Sequence, residues 1–115
     1  MFRKILRSIR NARASQQLPE IAKQEREIDA LGLPEVDPPL DRAVRESIAW
    51  LARAQDNSTS HDGGVARDFS LITGWNSSYP ETTGYIIPTL LNYAKLKGDE
   101  SSRVRAKRMI DWLVS

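Results

Sequence analysis

Apolar residues recur at helical spacing along most of this chain, and the breaks between those runs are rich in turn formers. Phe2, Ile5, Leu6 and Ile9 fall at i, i+3, i+4 and i+7, one face of a helix whose other faces are largely arginine. A second helix is expected over Leu18–Leu31, with Ile21, Glu25, Ile28 and Leu31 on a thin face and Gly32 placed to end it in the left-handed conformation. Three prolines in "GLPEVDPPLD" forbid helix and favour an extended linker. From Asp41, a candidate cap, Val44, Ile48, Leu51 and Gln55 share the next face. "DNSTSHDGG" breaks that helix, and Arg67 to Tyr79 carries no clear period. Thr82 or Thr83 is the expected cap of a helix reaching Lys97 and closed by Gly98. Pro88 predicts either a kink there or a regular part that starts at Ile87. Asp99 caps a last helix running toward Ser115.

The pattern therefore predicts an all-α protein of five helices, the last three forming a hairpin plus an added helix. "SLITGW" is the place for a short extended or irregular segment. Two regions are expected: residues 1–39, a basic amphipathic helical arm with a proline-rich linker, and residues 40–115, the compact part.

Self-comparison adds a repeat. "AVRESIAWLARAQ" from Ala43 lies over "RAKRMIDWLVS" from Arg105 with an offset of 62, matching Ile48 to Ile110, Trp50 to Trp112 and Leu51 to Leu113. The unit is helix, loop, helix, then the first helix again. A helix-pair repeat does not bury its apolar face alone and usually needs at least about three copies. The half-repeat thus predicts the front part of a larger array, a truncated reading frame or a chain completed by a partner. Self-association through the unpaired last helix is expected on the same ground.

Composition narrows the chemistry. The chain has 115 residues, enough for one ordinary domain, and no cysteine, so neither a disulfide framework nor a thiolate metal site is available. No metal or other cofactor is implied. No run approaches the roughly 18 apolar residues of a membrane span, and the basic start lacks the apolar stretch of a secretory signal, which points to the cytoplasm. Net charge is +2, but the first fourteen residues hold five basic groups and no acid, leaving the remainder at −3. A nucleic-acid-binding domain spreads its basic residues over the folded part, so a nucleic-acid partner is not expected. The basic arm suits weak contact with a membrane surface through residues 1–14, or packing on its own protein with a solvated rim.

Gln55 followed by Asp62-Gly63-Gly64 resembles the "Q…DGG" loop of α/α-toroid proteins, and "WNSSYPETTGYIIPTLL" from Trp75 resembles bacterial toroids of the squalene-cyclase-like or six-hairpin glycosidase-like kind. Many of those are associated with polysaccharide biosynthesis. The resemblance covers about Asp41 to Ser115, and the arm lies outside it. It implies a helical-hairpin repeat, a partial α/α toroid whose loops at one end ring a central pocket. The "DxDD" acid motif of hopene-type cyclases is absent, and the zinc ligands of prenyltransferases include a cysteine this chain lacks. Neither chemistry carries over.

The resemblance makes the stretch from Asp62 to Tyr85 pocket wall. Trp75, Tyr79 and Tyr85 are then suited to stack on sugar faces or line an apolar slot. Glu81, with Tyr85, is the candidate catalytic residue, as acid, base or hydroxyl acceptor, and Arg67 is suited to hold a carboxylate or phosphate. The competing reading puts Glu81 at the helix start satisfying N–H groups, with the tyrosines in the core. His61-Asp62 reads as a capped turn with an exposed histidine, and Asp62-Gly63-Gly64 as a turn. Trp50 and Trp112 read as packing between helices, and Arg103, Arg105, Lys107 and Arg108 as a solvated face. The function implied is the N-terminal part of a toroid that binds or processes carbohydrate, as hydrolase, lyase or epimerase. The alternatives are a non-catalytic helical scaffold or a terpenoid-cyclase-like enzyme.

Overall fold

The computed structural model describes residues 5, 6, 12, 13 and 16–115. Of the amphipathic helix expected at the N-terminus, Ile5, Leu6, Ala12 and Arg13 are described, all helical and exposed, and the rest lies outside the described residues. Four helices are present among those described: α1 (Glu20–Ala30), α2 (Leu40–Asp56), α3 (Pro80–Lys97) and α4 (Glu100–Leu113). Between α2 and α3, the two-residue strands β1 (Phe69–Ser70) and β2 (Gly74–Trp75) pair with one another. This is the extended segment expected at "SLITGW". The protein is mostly helical.

The chain divides into two compact units, Met1–Asp37 with Leu71–Gly74, and Pro38–Ser70 with Trp75–Ser115. In the first, α1 starts after Pro19, whose carbonyl accepts from the N–H groups of Ala22 and Lys23. It buries none of its residues, in keeping with its thin apolar face. Gly32 follows it with φ of 89°.

In the second unit, α2 follows Pro39 and not the expected Asp41 cap. Asp41 lies inside the first turn, where its carboxylate accepts from Arg45 and from Lys97. The hydrogen bond and charge of Lys97, then the charge of Arg45, hold that carboxyl below its ordinary value. The Lys97 contact joins the start of α2 to the end of α3. α3 starts earlier than its threonines suggested. Pro80 takes the first helical position, where its fixed φ and missing N–H cost nothing, after an extended Tyr79. Pro88 then sits inside a continuous helix and leaves the Gly84 carbonyl without its usual donor. Gly98 ends α3 at φ 66°, where an L side chain would be strained, and the Asp99 side chain accepts from Ser102 N–H at 3.2 Å to cap α4 as expected. With only these two residues between them, α3 and α4 form the most closely packed helix pair of the unit.

The core gathers Ala54, Val65, Leu90, Ala106 and Met109, with Ile48, Leu51, Trp75, Ile86 and Ile87 packed against it. The repeat-matched residues meet different surroundings. Ile48 and Leu51 face this core, whereas Ile110 and Leu113 are 40% and 39% exposed. Trp50 packs on Phe69 and Trp75, with ring centroids at 5.9 and 4.8 Å, and carries Arg53 against its ring. It serves the loop and not a helix–helix seam, a correction to the sequence reading.

Candidate functional site

The loop from Asn57 to Tyr79 is fastened at many points by side chains that reach across sequence. Gln55, almost fully buried at the end of α2, donates through Nε2 to the Gly63 carbonyl at 2.8 Å and to the Arg105 carbonyl at 3.2 Å. Its Oε1 accepts from Arg105 Nη1 at 3.1 Å. A buried amide needs such partners, because leaving it unpaired costs about 1–3 kcal/mol. The glutamine of the "Q…DGG" pattern thus ties the glycine turn to α4.

The turn itself is held by Asp62, whose Oδ1 accepts from Gly64 N–H at 3.1 Å and from Ser78 Oγ–H at 2.6 Å. Burial pushes its carboxyl up, but the hydrogen bonds from Ser78, Gly64 and Trp112 outweigh this and hold it below the ordinary value. Ser78 also meets Ser58 Oγ at 2.7 Å and donates its N–H to Ser60 Oγ at 3.0 Å. Gly64 lies under the Trp112 indole, where a Cβ would come within 2.8 Å of two ring carbons. Trp112 therefore packs on the turn, again not between helices.

The far side of the loop forms a narrow antiparallel ladder. Arg67 N–H donates to the Ser77 carbonyl at 2.9 Å and Asn76 N–H to the Asp68 carbonyl at 3.1 Å, next to the Ala66–Ser78 bridge. Tyr79 N–H donates to the Val65 carbonyl at 3.0 Å. Thr83 is not a cap. Its hydroxyl, fully buried, accepts from Val65 N–H at 2.9 Å and donates to the Tyr79 carbonyl at 2.8 Å, so it stitches α3 to the loop.

On this frame the predicted residues separate into groups. Trp75 belongs to the Trp50–Phe69–Trp75 ring cluster and is half-buried. Arg67 is exposed and engaged by Asp68 at 2.7 Å, which raises its pKa, and Asp68 is in turn held by Asn76. Tyr79 precedes α3, with its ring partly exposed, and adds a smaller electrostatic influence on Arg67. Glu81 and Tyr85 stand one turn apart on α3, a spacing that puts them on one face. Tyr85 is 74% exposed and not a core residue. Glu81 is exposed and makes no hydrogen bond or ion pair with any described residue, and no side chain caps this helix.

Sequence reasoning missed Arg105. The charge run placed it on a solvated face, yet it is partly buried and forms a two-pronged pair with Asp56, both contacts at 2.7 Å. That pairing raises the Arg105 pKa and, through the Arg105 hydrogen bond, lowers that of Asp56. The periodicity of α4 held a signal, since Arg105 lies three and four residues before Arg108 and Met109 and next to buried Ala106.

Two open grooves flank the unit. One, of about 370 Å³, is bordered by His61, Asp62, Gly63, Arg108, Asp111 and Trp112. The other, of about 410 Å³, runs along α2 beside Glu46, Trp50, Leu51 and Arg53. None of the five predicted residues borders either. No group of three or more histidine or carboxylate residues among the described ones is arranged to hold a metal ion. No helix among them is long and apolar enough to cross a membrane. No protein-family model, curated protein or solved structure matches the chain, so the α/α-toroid resemblance rests on the residues quoted above.

Proposed function

We propose that this chain is a carbohydrate-binding helical module of the α/α-toroid type, with Glu81 and Tyr85 at its contact face. One observation carries the reading: both side chains are exposed and unused by the fold, while the loop behind them is fastened by buried hydrogen bonds. Polar and aromatic groups that do nothing for stability, mounted on a stiff support, suit ligand recognition. Tyr85 offers an aromatic face to a sugar ring, and Glu81 accepts from its hydroxyls or moves a proton in an acid–base step. Hydrolase, lyase and epimerase chemistry all draw on such a pair.

Glu81→Gln tests the reading, because it keeps shape and removes charge. Oligosaccharide binding or turnover falls at least about tenfold, as expected for a lost charge-assisted hydrogen bond or acid–base group. The melting temperature stays nearly unchanged. Loss of stability with ligand behaviour intact would return Glu81 to the helix start. A non-catalytic scaffold is the second reading, favoured by the exposed Val104, Ile110 and Leu113 along α4.

A further inference from the structure

Neither Glu81 nor Tyr85 borders the groove beside the glycine turn, and its walls are held by several contacts. Trp112 is pinned by Gly64 beneath it. Asp62 is held by three donors. His61, the chain's one histidine, sits at φ 49°, the left-handed region that a residue with a Cβ enters at a cost. Its N–H donates to the Ser58 carbonyl at 3.1 Å, which keeps the strained turn closed, and its side chain is exposed at the groove. Strain of this kind concentrates where a side chain must be aimed.

The charges in the groove are not equally occupied. Asp111 is paired with Lys107 at 2.7 Å. Asp62 is engaged by Ser78 and Gly64. The Arg108 side chain makes no hydrogen bond or close ion pair with any described residue, and its charge adds only the smallest influence on Asp56, after Arg105. A guanidinium whose N–H groups have no acceptor is a planar fork of donors that matches a carboxylate. Beside it are the edge of an indole and two planar polar groups, His61 and Asp111, of the kind that recognises ring hydroxyls. The volume, about 370 Å³, falls within the range of small-ligand sites, about 300–1,000 Å³.

We propose that this groove binds a sugar acid. The ligand's carboxylate lies on Arg108, its ring against Trp112, and its hydroxyls reach Asp111 and His61. The proposal rests on the carbohydrate reading but uses residues other than Glu81 and Tyr85, so the two fail separately.

Residue-resolved NMR titration of the full chain with D-glucuronate tests it, with D-glucose and acetate as controls. Saturable shifts of the Trp112 indole N–H and the His61 ring are expected with glucuronate, and much weaker ones with either control. Arg108→Gln weakens that binding about tenfold, the loss that accompanies a charged hydrogen bond, while amide signals away from the groove stay in place. His61→Asn, which tolerates left-handed backbone, weakens it severalfold without loosening the turn. Equal response to glucose, or an Arg108→Gln variant that binds as the parent does, would overturn the sugar-acid assignment. Shifts confined to Glu81 and Tyr85 would overturn the groove and leave the carbohydrate reading standing. No shift anywhere, with Glu81→Gln also silent toward oligosaccharides, would overturn both.

Discussion

Gly64 and Trp112 meet so closely that the glycine's missing side chain is what lets the last helix dock on the loop. A Cβ there would stand 2.8 Å from Cδ2 and Cε3 of the indole and equally close to Ser78 Cβ. Neither neighbour is free to yield. Ser78 is held by Asp62, Ser58 and Ser60. Gly64→Ala is therefore expected to destabilise the fold by about 1–3 kcal/mol, the usual cost of overpacking. Urea unfolding of the two proteins measures it. A midpoint shift that disappears when Trp112 is also replaced by leucine would locate the clash at the ring.

Thr83 gives a second test, because its hydroxyl is the partner of a buried backbone N–H. Thr83→Val preserves shape but strands Val65 N–H, and a stranded buried donor costs about 1–3 kcal/mol. Thr83→Ser keeps the hydroxyl and recovers most of that loss. Thermal unfolding of both variants checks the order. Equal loss in the two would assign the effect to the methyl group instead.

The Asp56–Arg105 pair sets an acid limit. The hydrogen bond from Arg105 lowers the Asp56 pKa beneath its ordinary value of 3.8. A carboxyl depressed in the folded state binds protons less readily there than in the unfolded chain. Its stabilising contribution is whole above that ordinary value and is lost as pH falls through the lower folded value. Melting temperatures taken between about pH 5 and pH 2 should drop on that limb, and the drop should be shallower in Asp56→Asn. Identical slopes for parent and variant would show that other carboxylates dominate.

At the start of α4, Asp99 accepts from the Ser102 N–H and from its hydroxyl. Asp99→Ala removes this cap and should cost about 0.5–2 kcal/mol, read as a lower urea midpoint with unchanged slope. Asp41→Ala, by contrast, removes no cap. It breaks only exposed ion pairs, so the urea midpoint should move little, and that small effect should fade in high salt.

These contrasts show what the sequence pattern carries and what it omits. Helix positions and the Gly98–Asp99 stop-and-start were legible, because periodicity and capping are local properties of a few adjacent residues. Asp41 and Thr83 were misassigned since proline supplied the helix starts. Pro39 and Pro80 fix φ, and the polar side chains nearby were then free to bond elsewhere. Arg105 was hidden for a different reason. Its partners, Gln55 and Asp56, lie some fifty residues away, and no local pattern distinguishes it from Arg103 or Lys107. The site follows the same rule. Glu81 and Tyr85 were singled out because the toroid resemblance makes their stretch pocket wall, whereas the His61–Trp112 groove is assembled from two segments brought together only by the fold.

Pro88 removes one rung from the hydrogen-bond ladder of α3 near its middle, and only the first half is also fastened to the loop. The first half is tied to the loop through Thr83 and Tyr79 and lays Ile86 and Ile87 on the core, and the second carries Leu90 and Ala94 into it and continues directly into α4. A break in the ladder lets a helix open in parts, since cooperativity along it depends on unbroken repetition of the same bond. Amide hydrogen exchange should accordingly divide α3 at this residue. Amides from Thr83 to Ile87 are expected to exchange at the rate of the loop amides bonded to this half, and those beyond Pro88 at the rate of α4. Opening of the Thr83 end alone would thus leave Leu90 and Ala94 in place.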